Sequence, residues 1–119
     1  AAAVSPREML DTYAAEAVRQ SPGFQPSARR GAEFYAKRFA VSDKMPACTA
    51  CHTDSPVQPG QHAVTGKAIK PLAPRAEAAR FSDPAKTEKW FRRNCTEVLG
   101  RECSAAEKAD FVQFLAEGL

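Results

Sequence analysis

Cys48-Thr49-Ala50-Cys51-His52 is the stretch on which the reading of this chain turns. The pattern C-x-x-C-H is that of a c-type haem attachment site. Two thiols add across the two vinyl groups of one haem, so they must stand a short, fixed distance apart. The next residue then carries its imidazole under the iron as the proximal axial ligand. The rival readings are a zinc half-site, a thioredoxin-like redox pair and an ordinary disulfide. Zinc would need a second ligand pair at knuckle-like spacing, and Cys95 and Cys103 are poorly spaced for one. A thioredoxin motif would sit in strand-helix-strand patterning, and none surrounds these residues. Cys48, Cys51 and His52 are therefore expected to hold one covalent haem c.

Downstream of the motif, residues 53–80 are rich in Pro, Gly, Ala and Lys. Pro56, Pro59, Gly60, Gly66, Pro71 and Pro74 forbid a long regular element there. No strand alternation is visible anywhere in the chain. A loop of this length in a compact domain usually carries function or wraps a ligand. It is expected to run round the haem edge, with Ile69, Leu72 and the proline rings over the macrocycle.

Upstream, Ser5-Pro6 opens a helix, with Ser as N-cap and Pro in the first turn. Met9, Leu10, Tyr13, Ala14 and Ala17 keep the helical period, and Ser21-Pro22-Gly23 ends it. A second helix is expected from Ser27 to about Phe39, with Gly31, Phe34, Tyr35 and Phe39 inward. Beyond the loop, Asp83-Pro84 starts another helix on which Thr87, Trp90, Phe91, Asn94 and Val98 share one face. That face puts Asn94 at the centre of an apolar arc, where a buried carboxamide needs a partner. Gly100 terminates the helix. Ser104-Ala105-Ala106-Glu107 is a capping box for a last helix with Phe111, Val112 and Leu115 inward and Gly118 at its end. The elements are all helical. First-class c-type cytochromes pack their first and last helices together beside the haem motif. By that analogy Gly31 and Phe34 should meet Phe111 or Leu115.

A chain of 119 residues is read as one domain, 1–119, with residues 1–26 as an N-terminal helical extension. Of its four cysteines, Cys95 and Cys103 are left over, either for a disulfide closing a short loop or as two buried thiols. A disulfide and a secreted haem protein would both suit a compartment outside the reducing cytosol. Ala1-Ala2-Ala3-Val4 resembles a mature end after signal removal, and no apolar run reaches the length of a membrane span. A periplasmic protein is expected. The formal charge is only +3. Lys67, Lys70, Arg75, Arg80, Lys86, Lys89, Arg92 and Arg93 nevertheless outnumber Glu77, Asp83 and Glu88 in one stretch. Such a surface either steers an acidic partner or is simply a solvated helix face. Nucleic acid is disfavoured, because no aromatic interleaving accompanies the charges.

The sixth iron ligand is the open question. Distal Met normally follows the haem motif, and the two methionines, Met9 and Met45, precede it. His62, Asn94, Lys67, Lys70 or no residue at all remain. Four stretches together resemble the sphaeroides haem protein family: Gly66-Lys67-Ala68-Ile69-Lys70-Pro71-Leu72-Ala73-Pro74, Arg80-Phe81-Ser82-Asp83, Lys89-Trp90-Phe91-Arg92-Arg93-Asn94-Cys95 and Leu99-Gly100-Arg101-Glu102-Cys103. The resemblance covers the chain from about Gly31 onward. It implies a class I cytochrome c-like fold with an N-terminal extension, around one haem c. It implies His52 as proximal ligand, Asn94 as ferric distal ligand beside Trp90 and Phe91, and a Cys95–Cys103 disulfide. In that family the Asn leaves ferrous iron, so that O2, NO or CO can bind, and the electron donor is a dihaem cytochrome c. The competing function is a plain electron shuttle with His62 or a lysine as fixed sixth ligand. A third is a small oxidase, reductase or peroxidase, for which His62 is the one distal acid-base candidate.

Overall fold

The computed structural model describes residues 3–117. The expected end at Gly118 lies outside them. Helix α1 runs Pro6–Gln20, α2 Ala28–Ala36, α3 Thr49–His52, α4 Pro84–Leu99 and α5 Ala105–Ala116, with strands β1 at Gly60–Gln61 and β2 at Ala68–Ile69. Each long helix starts where a side chain can satisfy its free N–H groups. Ser5 and Ser104 form capping boxes with Glu8 and Glu107, while Ser27 and Asp83 accept from Arg30 N and Lys86 N. Gly100 ends α4 in the left-handed region at φ 75°, where a Cβ would be strained.

Helix α2 stops at Ala36, short of the expected Phe39. The cause is a competing partner: the Phe39 N–H donates to the Pro46 carbonyl at 2.6 Å instead of continuing the helix. Phe39 still turns its ring edge-on to Phe34, with centroids 6.1 Å apart. The second departure is the pair β1–β2, antiparallel with Gly60 opposite Ile69 and Gln61 opposite Ala68. Strands of two residues are too short to leave an alternation in sequence.

Helices α1 and α2 both lie against α5, and Tyr13, Phe91, Phe111, Leu72, Leu115 and Val112 are the largest fully buried side chains. At the α2–α5 crossing a Cβ on Gly31 would collide with the Asp110 carbonyl and with Phe114. Only glycine allows that approach. The buried Asp110 carboxylate accepts from Ser27 N at 2.8 Å and from Arg30 Nε at 2.8 Å, which ties the start of α2 to α5. Phe34 meets Phe111 edge-on at 6.2 Å, as expected, whereas Gly31 meets Asp110 and Phe114. Cys95 of α4 and Cys103 are placed with their Cα atoms 5.7 Å apart, a separation that suits a disulfide.

Candidate cofactor site

Three contacts fix the short helix α3 from outside. The Tyr35 hydroxyl lies 3.1 Å from the His52 carbonyl and 2.5 Å from the Thr53 carbonyl. Thr53 ends α3 at φ 63°, an uncommon conformation for a β-branched residue, and the Tyr35 bond holds it there. On another side Gly60 of β1 lies so near that a Cβ would collide with the Cys51 carbonyl. The Ala63 N–H meets Cys51 Sγ at 3.3 Å. Sequence reasoning treated Tyr35 as a core aromatic and missed this positioning role, for which the sequence carries no separate signal.

The His52 imidazole is 5% exposed and lines a cavity of about 720 Å³, within the ~300–1,000 Å³ typical of ligand pockets. Burial, and after it the charge of Arg80, lowers its pKa to about 4, so the ring is neutral near pH 7 and has a lone pair to offer a metal. Burial likewise pushes the Cys48 thiol up to about 11. Cys48 lies against a small apolar void that shares Trp90 and Asn94 with the cavity, and Cys51 lines a shallow depression that shares His62 and Thr65 with it. Two thiols and a neutral imidazole beside a largely apolar hollow are a donor set that fits haem c. Cys48 and Cys51 would attach it, and His52 would coordinate its iron.

Ile69 and Leu72 line the cavity as expected, but no proline does, among the described residues. The prolines act from behind: Leu72 N and Ala73 N both donate to the Pro56 carbonyl at 3.0 Å. Helix α4 supplies Thr87, Trp90 and Asn94. Its buried stripe is Thr87, Phe91, Cys95, Val98 and Leu99. Asn94 is therefore not at the centre of the apolar arc but half-buried at its edge, where core gives way to cavity. Phe91 does not line the main cavity. It lies between Tyr13 and Phe111, edge-on to Trp90 at 5.2 Å, and borders the void beside Cys48. Trp90 lies 6.0 Å from His52, ring centre to ring centre.

Asn94 Nδ2 donates to the Trp90 carbonyl at 2.9 Å, and no donor of the described residues is bonded to Oδ1. The oxygen is thus the free end of the amide. His62 also lines the cavity, but its Nδ1 accepts from Val64 N and Thr65 N, both at 3.1 Å. A neutral imidazole so bonded carries its proton on Nε2, the nitrogen that would have to face the iron. Lys67 and Lys70 line the rim and are exposed. Arg80 also lines the cavity; the sequence offered it in a run of basic residues and in a stretch that carries the family resemblance, with no role of its own.

Residues 22–115 match the family model described as Domain of unknown function (DUF1924). Cytochrome c'' of Methylophilus methylotrophus is 44% identical over 91 residues, which are 76% of this chain and 63% of that protein. The match thus spans less than two thirds of that relative's length. Cytochrome c-type protein SHP of Cereibacter sphaeroides is 42% identical over 113 residues, 94% of this chain and 83% of that one. The structure of oxidized SHP, described as an oxygen binding cytochrome c, superposes with a TM-score of 0.86 at 39% identity over 95% of this chain and 96% of that one. The solution structure of cytochrome c'', presented as an insight into haem-ligand detachment, gives 0.80 at 38% identity over 92% of this chain and 90% of that one.

Proposed function

The chain belongs to the family of mono-haem c-type cytochromes that includes cytochrome c'' and SHP, and on that premise we propose that His52 and Asn94 hold its ferric iron and that Asn94 lets go on reduction. Haem c, held by Cys48, Cys51 and His52, would supply a redox-active iron able to take either a protein ligand or a small molecule. Cys48 and Cys51 fix the group, and His52 keeps its lone pair available. An amide oxygen is a hard, neutral, weak donor that suits ferric iron better than the softer ferrous state. Asn94 therefore releases when the metal gains an electron. Its Nδ2 bond to the Trp90 carbonyl gives the freed side chain a resting place in the cavity wall. Trp90, backed by Phe91, leaves the vacated side apolar enough for O2, NO or CO.

The observation that carries this reading is the unpaired Oδ1 of Asn94 on the cavity that His52 lines. Oxygen binding by SHP and ligand detachment in cytochrome c'' are in keeping with it. Electrons come, in this reading, from a dihaem cytochrome c whose acidic surface is steered by the exposed Lys67, Lys70, Lys86 and Arg93 at the cavity rim. The protein works in the periplasm, where the Cys95–Cys103 bridge survives. No helix among the described residues is long and apolar enough to cross a membrane.

An anaerobic CO titration of the reduced protein tests the proposal. Stoichiometric binding is expected, and a low-spin ferrous spectrum that ignores CO would reject it in favour of a fixed sixth ligand. Asn94→Ala should keep the covalent haem and the CO site, while its ferric spectrum loses the protein-derived sixth ligand. An unchanged ferric spectrum would remove Asn94 from the iron.

A further inference from the structure

Arg80 lines the same cavity as His52. Its Nε donates to the Pro71 carbonyl at 2.8 Å and one Nη to the Lys70 carbonyl at 2.7 Å. A guanidinium carries five N–H donors, so most of the fork is unspent. Among the described residues Arg80 forms no ion pair, unlike Arg30 with Asp110 and Arg101 with Glu107. The other basic residues on the cavity, Lys67, Lys70, Lys86 and Arg93, are exposed, whereas Arg80 is half-buried and pinned by backbone. Burial works against its charge, with Glu77 countering it. A pinned, partly desolvated cation with spare donors is built to receive an anion.

Haem brings two carboxylates of its own, and a carboxylate drawn partly out of water needs a partner. We propose that Arg80 pairs with a haem propionate, positions the carboxylate edge of the group in the cavity and raises its reduction potential. Arginine suits this task because its planar fork matches a carboxylate, and the match lends direction as well as charge. The two carbonyls hold the guanidinium before the haem arrives, so little ordering remains to be done on binding. A positive charge beside the propionates also favours the state with one more electron. The inference rests on haem occupying this cavity and not on the role of Asn94.

Reduction potentials of Arg80→Leu and Arg80→Lys holoproteins, with the propionate-bending band in resonance Raman spectra, provide the test. Arg80→Leu should shift the reduction equilibrium against the ferrous form about tenfold, the order expected for one charge acting across about 12 Å at an effective dielectric constant near 20, or ~59 mV for a one-electron couple. Arg80→Lys should keep most of the potential, because the charge remains, yet shift the Raman band, because the fork is gone. A Leu variant at the wild-type potential overturns the proposal. So does a Lys variant that falls as far as the Leu variant, since that would make the carbonyl bonds to residues 70 and 71 the only role of Arg80. Should the Leu variant fail to fold, an unmoved band in the Lys variant overturns it alone. Both variants should still bind CO when reduced, so failure of the ligand-release reading would appear separately.

Discussion

The helices α1, α2, α4 and α5 and the segment of residues 37–83 are held by different kinds of bond. Every long helix begins with its own side-chain cap, and the helices share a buried aromatic network in which Phe111 touches Phe34, Tyr35, Trp90 and Phe91. The segment has few buried side chains. It is shaped by backbone bonds reaching across the chain, such as Phe39 to Pro46 and Leu72 and Ala73 to Pro56. Its inner surface, with Ile69 and Leu72, borders the cavity as well as protein. The first region supplies most of its own core, to which the segment adds Leu72 and Phe81. The second is completed by a group that the twenty amino acids do not supply, which is why it ends in a hollow.

The largest effect should come from cutting that group loose. In Cys48→Ser with Cys51→Ser, covalent haem should vanish altogether. Amide hydrogen exchange should then quicken at Gly66, Leu72 and Ala73, whose bonds shape the segment, while the amides inside α5 stay protected. Regions with few buried contacts of their own open first. Equal loss of protection in α5 and in the segment would erase the distinction between them.

A matched pair of glycines sharpens it. Gly31→Ala drives a methyl into the Asp110 carbonyl between two packed helices. Overpacking of this kind should cost about 3 kcal/mol and lower Tm by roughly 10–20 °C, with little change in the haem absorption bands. Gly60→Ala drives the same methyl into the Cys51 carbonyl. There the hairpin can shift away from α3, so the loss of Tm should be smaller and the haem bands should move more. Denaturation followed by circular dichroism and by haem absorbance reads both, and identical behaviour of the two variants would contradict a divided frame.

The same division explains what was legible in the sequence. Helix starts at Ser5, Ser27, Asp83 and Ser104 are local chemistry written in a few residues, and they lie where the caps require. The haem motif is legible for the same reason, since attachment demands one spacing. Three features left no local pattern to read. Phe39 left its helix for Pro46, the β1–β2 pair is too short to carry a period, and Tyr35 holds α3 through backbone carbonyls. Helical periodicity showed that Trp90, Phe91 and Asn94 face inward together. It could not separate core from cavity, because both select apolar neighbours. Asn94 and Arg80 acquire their meaning from the hollow they border, and a hollow has no sequence.

The smallest effect belongs to the frame's own edge. Glu107 accepts from Arg101 through two Nη contacts of 2.8 and 2.9 Å and from Ser104 N at 2.8 Å. These bonds, the Arg101 fork first, hold its carboxyl below the usual carboxylate range. A carboxyl with a depressed folded pKa stabilises the fold above its unfolded value and ceases to do so as pH falls through the folded one. Glu107→Gln keeps an acceptor for the capping box and removes the charge. The Arg101 side chain is 53% exposed, so solvent screening should limit the loss to less than ~1 kcal/mol at neutral pH. On acidification below the ordinary glutamate value of about 4.3 the wild-type carboxyl takes up its proton while the amide cannot. The two denaturation midpoints should therefore converge. A gap that persists in acid would mean that the amide disturbs packing at the start of α5, not that a charge has been lost. Glu107→Gln should leave the haem spectrum of the folded protein unchanged, because no residue of this cap lines the cavity.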